Sequence, residues 1–370
     1  MAIRFLTSGE SHGQCLNAII EGIPFGYELD FDFINSELSA RQQGVGRGGR
    51  MQIETDKIEI KSGVRFGITT ASPICLEIKN KDWQNWQYPM SIEKLDYDSL
   101  DEEIKNQIKE KEITRFRPAH ADLAAAVKYG FDDIRYSLER SSARETATRV
   151  ALGAICQNIL KNYNIEFDFE VLQIGTCQNK DEFENYINQH KEQGDSLGGI
   201  IKITIKNAPI GLGSFVHWDK RLDSKLAGAL MSIPAIKSVE IGLGKDYALK
   251  TGFEAHDEIY FENNKHHHKT NNSGGIEGGM SNGEDIVLTL AMKPIPTMKK
   301  ALNSVEIKTH NQTSAHFERA DNCAVEACGV VAKNMCAIII LDEFLEKFGK
   351  DCKRDIDCAF ENYQKRINET

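Results

Sequence analysis

Two segments of this chain show a strict apolar alternation, and they limit its fold more than any other feature. Ile201, Ile203 and Ile205 are interleaved with Lys202 and Thr204, and Ile286, Leu288, Leu290 and Met292 repeat the same period of two. Side chains on an extended strand point alternately to opposite faces, so both segments predict strands with one buried face. Leu100, Ile104 and Ile108 recur at helical spacing instead, as do Leu152, Ile155 and Ile159 after Glu145. Each of these predicts a helix with an apolar side. Helices and strands are therefore mixed along the chain.

A chain of 370 residues can bury a large core. No Pro-rich or Ser-rich linker, fixed-period repeat or shift of composition marks a boundary, so 1–370 is expected to form a single domain. Asn, Lys, His and Gly dominate 262–283, which is expected to be a loop that stays mobile until something binds. The 45 basic and 55 acidic side chains leave a net charge of −10, which repels polyanions at long range and argues against a general nucleic-acid binder. Nine cysteines without a CxxC pair suggest free thiols, not a disulfide framework or a zinc ribbon. The start, MAIRFLTSGESHG, lacks an apolar signal core, and no later run is long enough to cross a bilayer. A cytoplasmic protein that binds no membrane is expected. His266, His267 and His268 lie in the loop-like segment, where fixed ligand geometry is not expected, so no metal site is assigned.

Against the acidic background, 41–50 holds Arg41, Arg47 and Arg50 and no acid. Arginine forks match phosphate and carboxylate, so the three imply a ligand with several negative charges. The plain alternative is a solvated basic loop or an RGG-type nucleic-acid element. Glycine-rich runs at 44–50 (GVGRGGR) and 274–283 (GGIEGGMSNG) allow positive φ and bring backbone amides near an anion. Neither fits a Walker or dinucleotide fingerprint, which disfavours a dinucleotide fold.

Three further clusters carry possible chemistry. GESHG sets His12 in a glycine-flanked turn, where an imidazole can give or take a proton, although a lone histidine there is usually structural. RFRPAHAD groups Arg115, Arg117 and His120 ahead of an alanine-rich helix that Asp122 could cap. In ERSSARETATRV, Ser142 and Glu145 read as a capping box, while Arg140, Arg144 and Arg149 oppose the helix N-terminus unless an anion lies there. Near the C-terminus, Asp321 of ERADNCAV has a sufficient reading as an N-cap.

Taken in order, GESHG, ARQ..VGRGGR, RPAHAD, ERSSARETATRV, NNSGGIEGGMSNG, KPIPT and ERADNCAV resemble the signature blocks of the chorismate synthase family and span almost the whole chain. The resemblance implies an α+β fold, a single-domain β-α-β sandwich with helices packed between antiparallel sheets, assembled as a homotetramer. It implies anti 1,4-elimination of phosphate from 5-enolpyruvylshikimate 3-phosphate to give chorismate, the last common step toward the aromatic amino acids. Reduced FMN is required without net redox change. An external flavin reductase or supply of reduced flavin is expected, since no reductase domain is appended.

By the same resemblance, His12 protonates the leaving phosphate, His120 acts near flavin N1 and Asp321 near N5. Arg41, Arg47, Arg50, Arg117 and Arg319 match substrate contacts. Ser142, Arg144, Asn272, Gly278, Lys293, Thr297 and again Arg319 match the FMN-binding regions. The family commonly has glycine where Ala119 stands. Two rivals stay open at this point: a flavin oxidoreductase acting on another phosphorylated acid, and an RGG-type RNA-binding protein.

Overall fold

The computed structural model describes residues 2–48, 55–262, 265–318 and 321–367. Both alternating segments are strands, Gly199–Lys206 and Ile286–Met292, paired antiparallel so that Ile201, Ile203 and Ile205 face Leu290, Leu288 and Ile286. All six side chains are buried. A one-residue slip would turn them all to the opposite face, which fixes the register. Glu166–Ile174 and Ile236–Ile241 complete a four-stranded antiparallel sheet. A second four-stranded antiparallel sheet runs Arg4–Ser8, Cys15–Glu21, Ile74–Lys79, Glu59–Ser62, and buries Leu16, Ala18 and Ile20 beside Ile78, Leu76 and Ile74.

Helices fill the space between the sheets. Thr146–Leu160 packs on strand Cys15–Glu21, Val325–Phe348 packs on strands Glu166–Ile174 and Gly199–Lys206, the two helices pack on each other, and Phe31–Gln42 touches both. This is the α+β sandwich the family resemblance implies. Thr146–Leu160 was expected to bury one side, yet all of its residues except Arg149 and Asn158 are buried. A helix clad on every side can be apolar all round. Glu102–Lys111 forms where the Leu100, Ile104 and Ile108 spacing predicts a helix, although none of its residues is fully buried.

Segment 262–283 is not the plain loop expected. Ile259–Glu262 pairs with Lys265–His268, and Ile276–Glu277 pairs with Met280–Ser281. Polar anchoring replaces the missing apolar residues: Asp257 accepts hydrogen bonds from Thr270 Oγ1 and from the backbone amides of Asn272 and Ser273. All nine cysteines are free thiols. Among the described residues no helix is long and apolar enough to cross a membrane.

The two central helices meet at Gly153, where an added Cβ would overlap the backbone carbonyl oxygen of Asn334. Gly153→Ala must force the helices apart, and overpacking of this kind costs about 1–3 kcal/mol. The expected outcome is a lower urea midpoint at unchanged slope; an unshifted midpoint would mean that this contact yields freely.

Candidate active site

Loops, together with residues of several helices, line a cavity of about 850 Å³. Its wall gathers His12, Arg41, Arg47, Arg117, His120, Ser142, Arg144, Lys293, Thr297 and Asp321, so motifs scattered over the sequence meet in one place. Arg50 and Arg319 lie outside the described residues.

Asp56 anchors two of the arginines. Its Oδ2 lies 3.0 Å from Arg41 Nη2, and both its oxygens accept from Arg144 Nη1 at 2.6 and 2.7 Å. Arg144 also donates to Asn80 Oδ1 through Nε and Nη2 at 3.0 and 2.9 Å. All four residues are buried. Burial would raise the Asp56 carboxyl, but Arg144 and Arg41 outweigh it and hold the group below the ordinary range. Burial pulls the Arg41 guanidinium down to about 10, against the pull of Asp56, which still leaves it cationic at neutral pH. Its Nε is buried without a hydrogen-bond partner.

Within the chain, these pairs already place negative charge where the arginines imply an anion at the helix N-terminus. The protein's own carboxylates stand there: Asp56 beside Arg144, and Glu145, 2.9 Å from Arg149 Nη2. Arg140 reaches the carbonyl oxygen of Thr7. The capping box is half formed, since Ser142 Oγ accepts from the Arg144 amide at 3.3 Å while Glu145 turns to Arg149.

His12 is held from two directions. Its Nδ1 lies 2.9 and 3.0 Å from the carboxylate oxygens of Glu139, and its backbone amide donates to Glu139 Oε2 at 2.7 Å. Its ring stacks on Trp86 with centroids 3.9 Å apart. Arg135 donates to Glu139 Oε1 at 3.1 Å and to Glu318 Oε1 at 2.9 Å, and its guanidinium lies over Trp86. Burial raises the Glu139 carboxyl, and the larger combined effect of His12 and Arg135 leaves it lowered. Glu318 is held down to about 2 as His316 and Arg135 overcome its burial.

Asp122 does not cap its helix: the N-cap position is Ala121, with no side-chain cap. The carboxylate accepts from Arg117 N, Nε and Nη2 at 2.9, 2.9 and 2.8 Å, which holds it well below the usual range in spite of burial. His120 Nδ1 stands 3.0 Å from Arg117 Nη2 and 3.2 Å from Asp122 Oδ1. Arg115 makes a backbone bridge to Glu306 and does not line the cavity. Asp321 is not a cap either, since the helix begins at Val325 after Ala324. Its Oδ2 lies 2.9 Å from Arg47 Nη1, and its Oδ1 accepts from the Gly48 amide at 2.5 Å. Arg47 is thus tied to an acid in a wall, not spread on a solvated RGG loop.

Asn272 and Gly278 do not line the cavity. The Asn272 amide donates to the carbonyl oxygen of Ala255, and Gly278 faces open space. Sequence reasoning missed Trp86, Lys111, Arg135, Glu139 and Glu318. Glu139 opens ERSSARETATRV, so a signal was present; Trp86 stands in no charged or glycine-rich cluster, and nothing local marks it.

The comparisons bear directly on this wall of motifs. The family model for chorismate synthase matches residues 3–345. This chain belongs to the chorismate synthase family. The chorismate synthase of Thermoanaerobacter pseudethanolicus is 48% identical over 362 residues, covering 98% of each chain. That of Aquifex aeolicus is 44% identical over 99% of this chain and 98% of its own. A crystal structure of a chorismate synthase aligns with a TM-score of 0.77 at 36% identity, covering 100% of this chain and 99% of that one.

At the position where the family commonly has glycine, Ala119 adopts φ 60°, and Lys293 Nζ donates to its carbonyl oxygen. The left-handed conformation costs an L-residue about 1–2 kcal/mol, while glycine loses about 0.4–1 kcal/mol more in chain entropy on folding. Strain is the larger effect, so Ala119→Gly is expected to raise stability slightly in chemical denaturation. A lower midpoint would show that Ala119 is unstrained.

Proposed function

We propose that this chain forms chorismate by eliminating phosphate from 5-enolpyruvylshikimate 3-phosphate. The observation that carries the reading is the cavity wall, where Arg41, Arg47, Lys111, Arg117, Arg135, Arg144 and Lys293 surround His12 and His120. A substrate with one phosphate and two carboxylates needs several cations in a place where water screens little. Arg41 and Arg47 are assigned to it first, with Arg117 as a further contact, and Arg50 and Arg319 keep that assignment by the family resemblance alone.

The site suits a reduced flavin mononucleotide as well. Its volume lies in the range of cofactor pockets, and a partnerless Arg41 Nε together with Lys293 answers an anionic group. Reduced flavin, when bound, would supply electron density to the substrate without net oxidation. Lys293, Thr297, Ser142 and Arg144 would hold it. Asn272 and Gly278, away from this cavity, keep a flavin role only as residues of another protomer in the proposed homotetramer.

With Nδ1 facing Glu139, His12 would deliver its proton from Nε2 to the departing phosphate, which lowers the charge carried off in the transition state. His120 would stand beside the flavin, held at Nδ1 by Arg117 and Asp122. Asp321 would carry proton traffic on the side held by Arg47. The chain would act as one domain over 1–370. It would work in the cytoplasm, on reduced flavin supplied from outside.

The test is an anaerobic assay with chemically reduced FMN, following chorismate absorbance and phosphate release together. Equal formation of both products over many turnovers per flavin is expected. One reduced cofactor consumed per turnover would indicate an oxidoreductase instead. His12→Ala is expected to slow turnover by about 10²–10⁴-fold with FMN binding intact. Arg47→Ala is expected to cost about 2–5 kcal/mol of substrate affinity by titration, and a negligible loss would put Arg47 on a solvated rim.

A further inference from the structure

We propose that Glu139, braced by Arg135, is a positioning residue that fixes the tautomer of His12, keeping a proton on Nδ1 so that Nε2 is the nitrogen that serves the cavity. The inference rests on the proposed role of His12 as the acid and extends it to a residue that does not touch the ligand.

An ionised carboxylate can only accept hydrogen bonds. Both oxygens of Glu139 lie within 3.0 Å of His12 Nδ1, so that nitrogen must be the donor. The carboxylate is ionised, since its pKa is lowered despite burial. Glu139 Oε2 also accepts the His12 backbone amide, which ties ring and main chain to one group. Three restraints then remove the ring's freedom: the carboxylate beneath, the Trp86 ring stacked at 3.9 Å and the short glycine-flanked turn. Glu139 is itself fixed, because Arg135 donates to it from the same helix four residues earlier. Arg135 in turn is locked by its donations to the Lys111 carbonyl oxygen and to Glu318.

The proton transfer is one half of the elimination: the C6–H bond also breaks, its electron pair goes into the new ring unsaturation, and the proton it releases matches the one the phosphate takes up. As the ring C–O bond breaks, its electron pair stays on the phosphate oxygen. The proton passes to the phosphate from Nε2, and the imidazole is left neutral, with its other proton still on Nδ1 and hydrogen-bonded to Glu139. The carboxylate also offsets the positive charge that His12 carries before the transfer. Removing a group that orients another through a hydrogen bond typically costs 10–100-fold in activity.

The test starts with the unsubstituted protein. ¹⁵N spectra of labelled histidine are expected to show His12 protonated at Nδ1; a bare Nδ1 would overturn the proposal with no variant needed. Glu139→Gln keeps volume and an acceptor, while Glu139→Ala removes both, and thermal unfolding reports whether each is folded. In the anaerobic assay Glu139→Ala is expected to lower kcat by about 10–100-fold with KM little changed. Glu139→Gln, which can still accept from Nδ1, is expected to recover part of that loss. Placed on His12→Ala, neither change should lower kcat further. A KM effect alone, or losses that multiply in the double variants, would make Glu139 structural only. Slow turnover in His12→Ala with full kcat in both Glu139 variants would sink the positioning role and leave the acid; full kcat in His12→Ala would sink the acid itself.

Discussion

The site depends on one buried carboxylate shared by two guanidiniums. Asp56 holds Arg41, in the last turn of Phe31–Gln42, and Arg144, just ahead of Thr146–Leu160. It thereby joins the connection before the edge strand Glu59–Ser62 to two helices of the central layer. Buried ion pairs are expensive to desolvate and seldom justify themselves as stabilisers. Here one negative charge opposes two positive ones, so the cluster keeps an excess of positive charge that is fixed in place before any ligand arrives. Arg41 Nε, buried and without a partner, is a local sign of the same imbalance. Preorganised cations need no rearrangement when a multiply charged anion enters, which is where electrostatic binding gains most.

Much of this was legible in the sequence, for physical reasons that differ from element to element. The Ile201–Ile205 and Ile286–Met292 strands were readable because a sheet with one buried face leaves a period of two. The strand Ile74–Lys79 alternates as well, yet its signal is diluted by Cys75 and Glu77. Thr146–Leu160 was readable as a helix, but not as one buried on all sides, because its alanines, glycine and threonines are small enough to be read as neutral. The caps failed for a common reason. Asp122 and Asp321 sit where N-caps belong, and local spacing cannot reveal that Arg117 and Arg47 compete for them with full positive charges. Trp86, which supports His12, shares no motif with it; only the fold brings positions 12, 86 and 139 together.

The two histidines show what that convergence achieves. Nδ1 of His12 faces a carboxylate and must donate. Nδ1 of His120 has its shorter contact, 3.0 Å, to Arg117 Nη2, with Asp122 Oδ1 slightly farther at 3.2 Å. Arg117 can only donate and the Asp122 carboxylate can only accept, so Nδ1 of His120 has a partner in either tautomer: it accepts from the first or donates to the second. The surroundings of His12 thus fix one neutral tautomer, with the lone pair on Nε2, whereas those of His120 admit both. With Nδ1 held as a donor, His12 must take up a second proton at Nε2 before it can act as an acid. Which nitrogen His12 offers to the ligand follows from Glu139, which lies 127 positions away and which no sequence spacing marks as its partner.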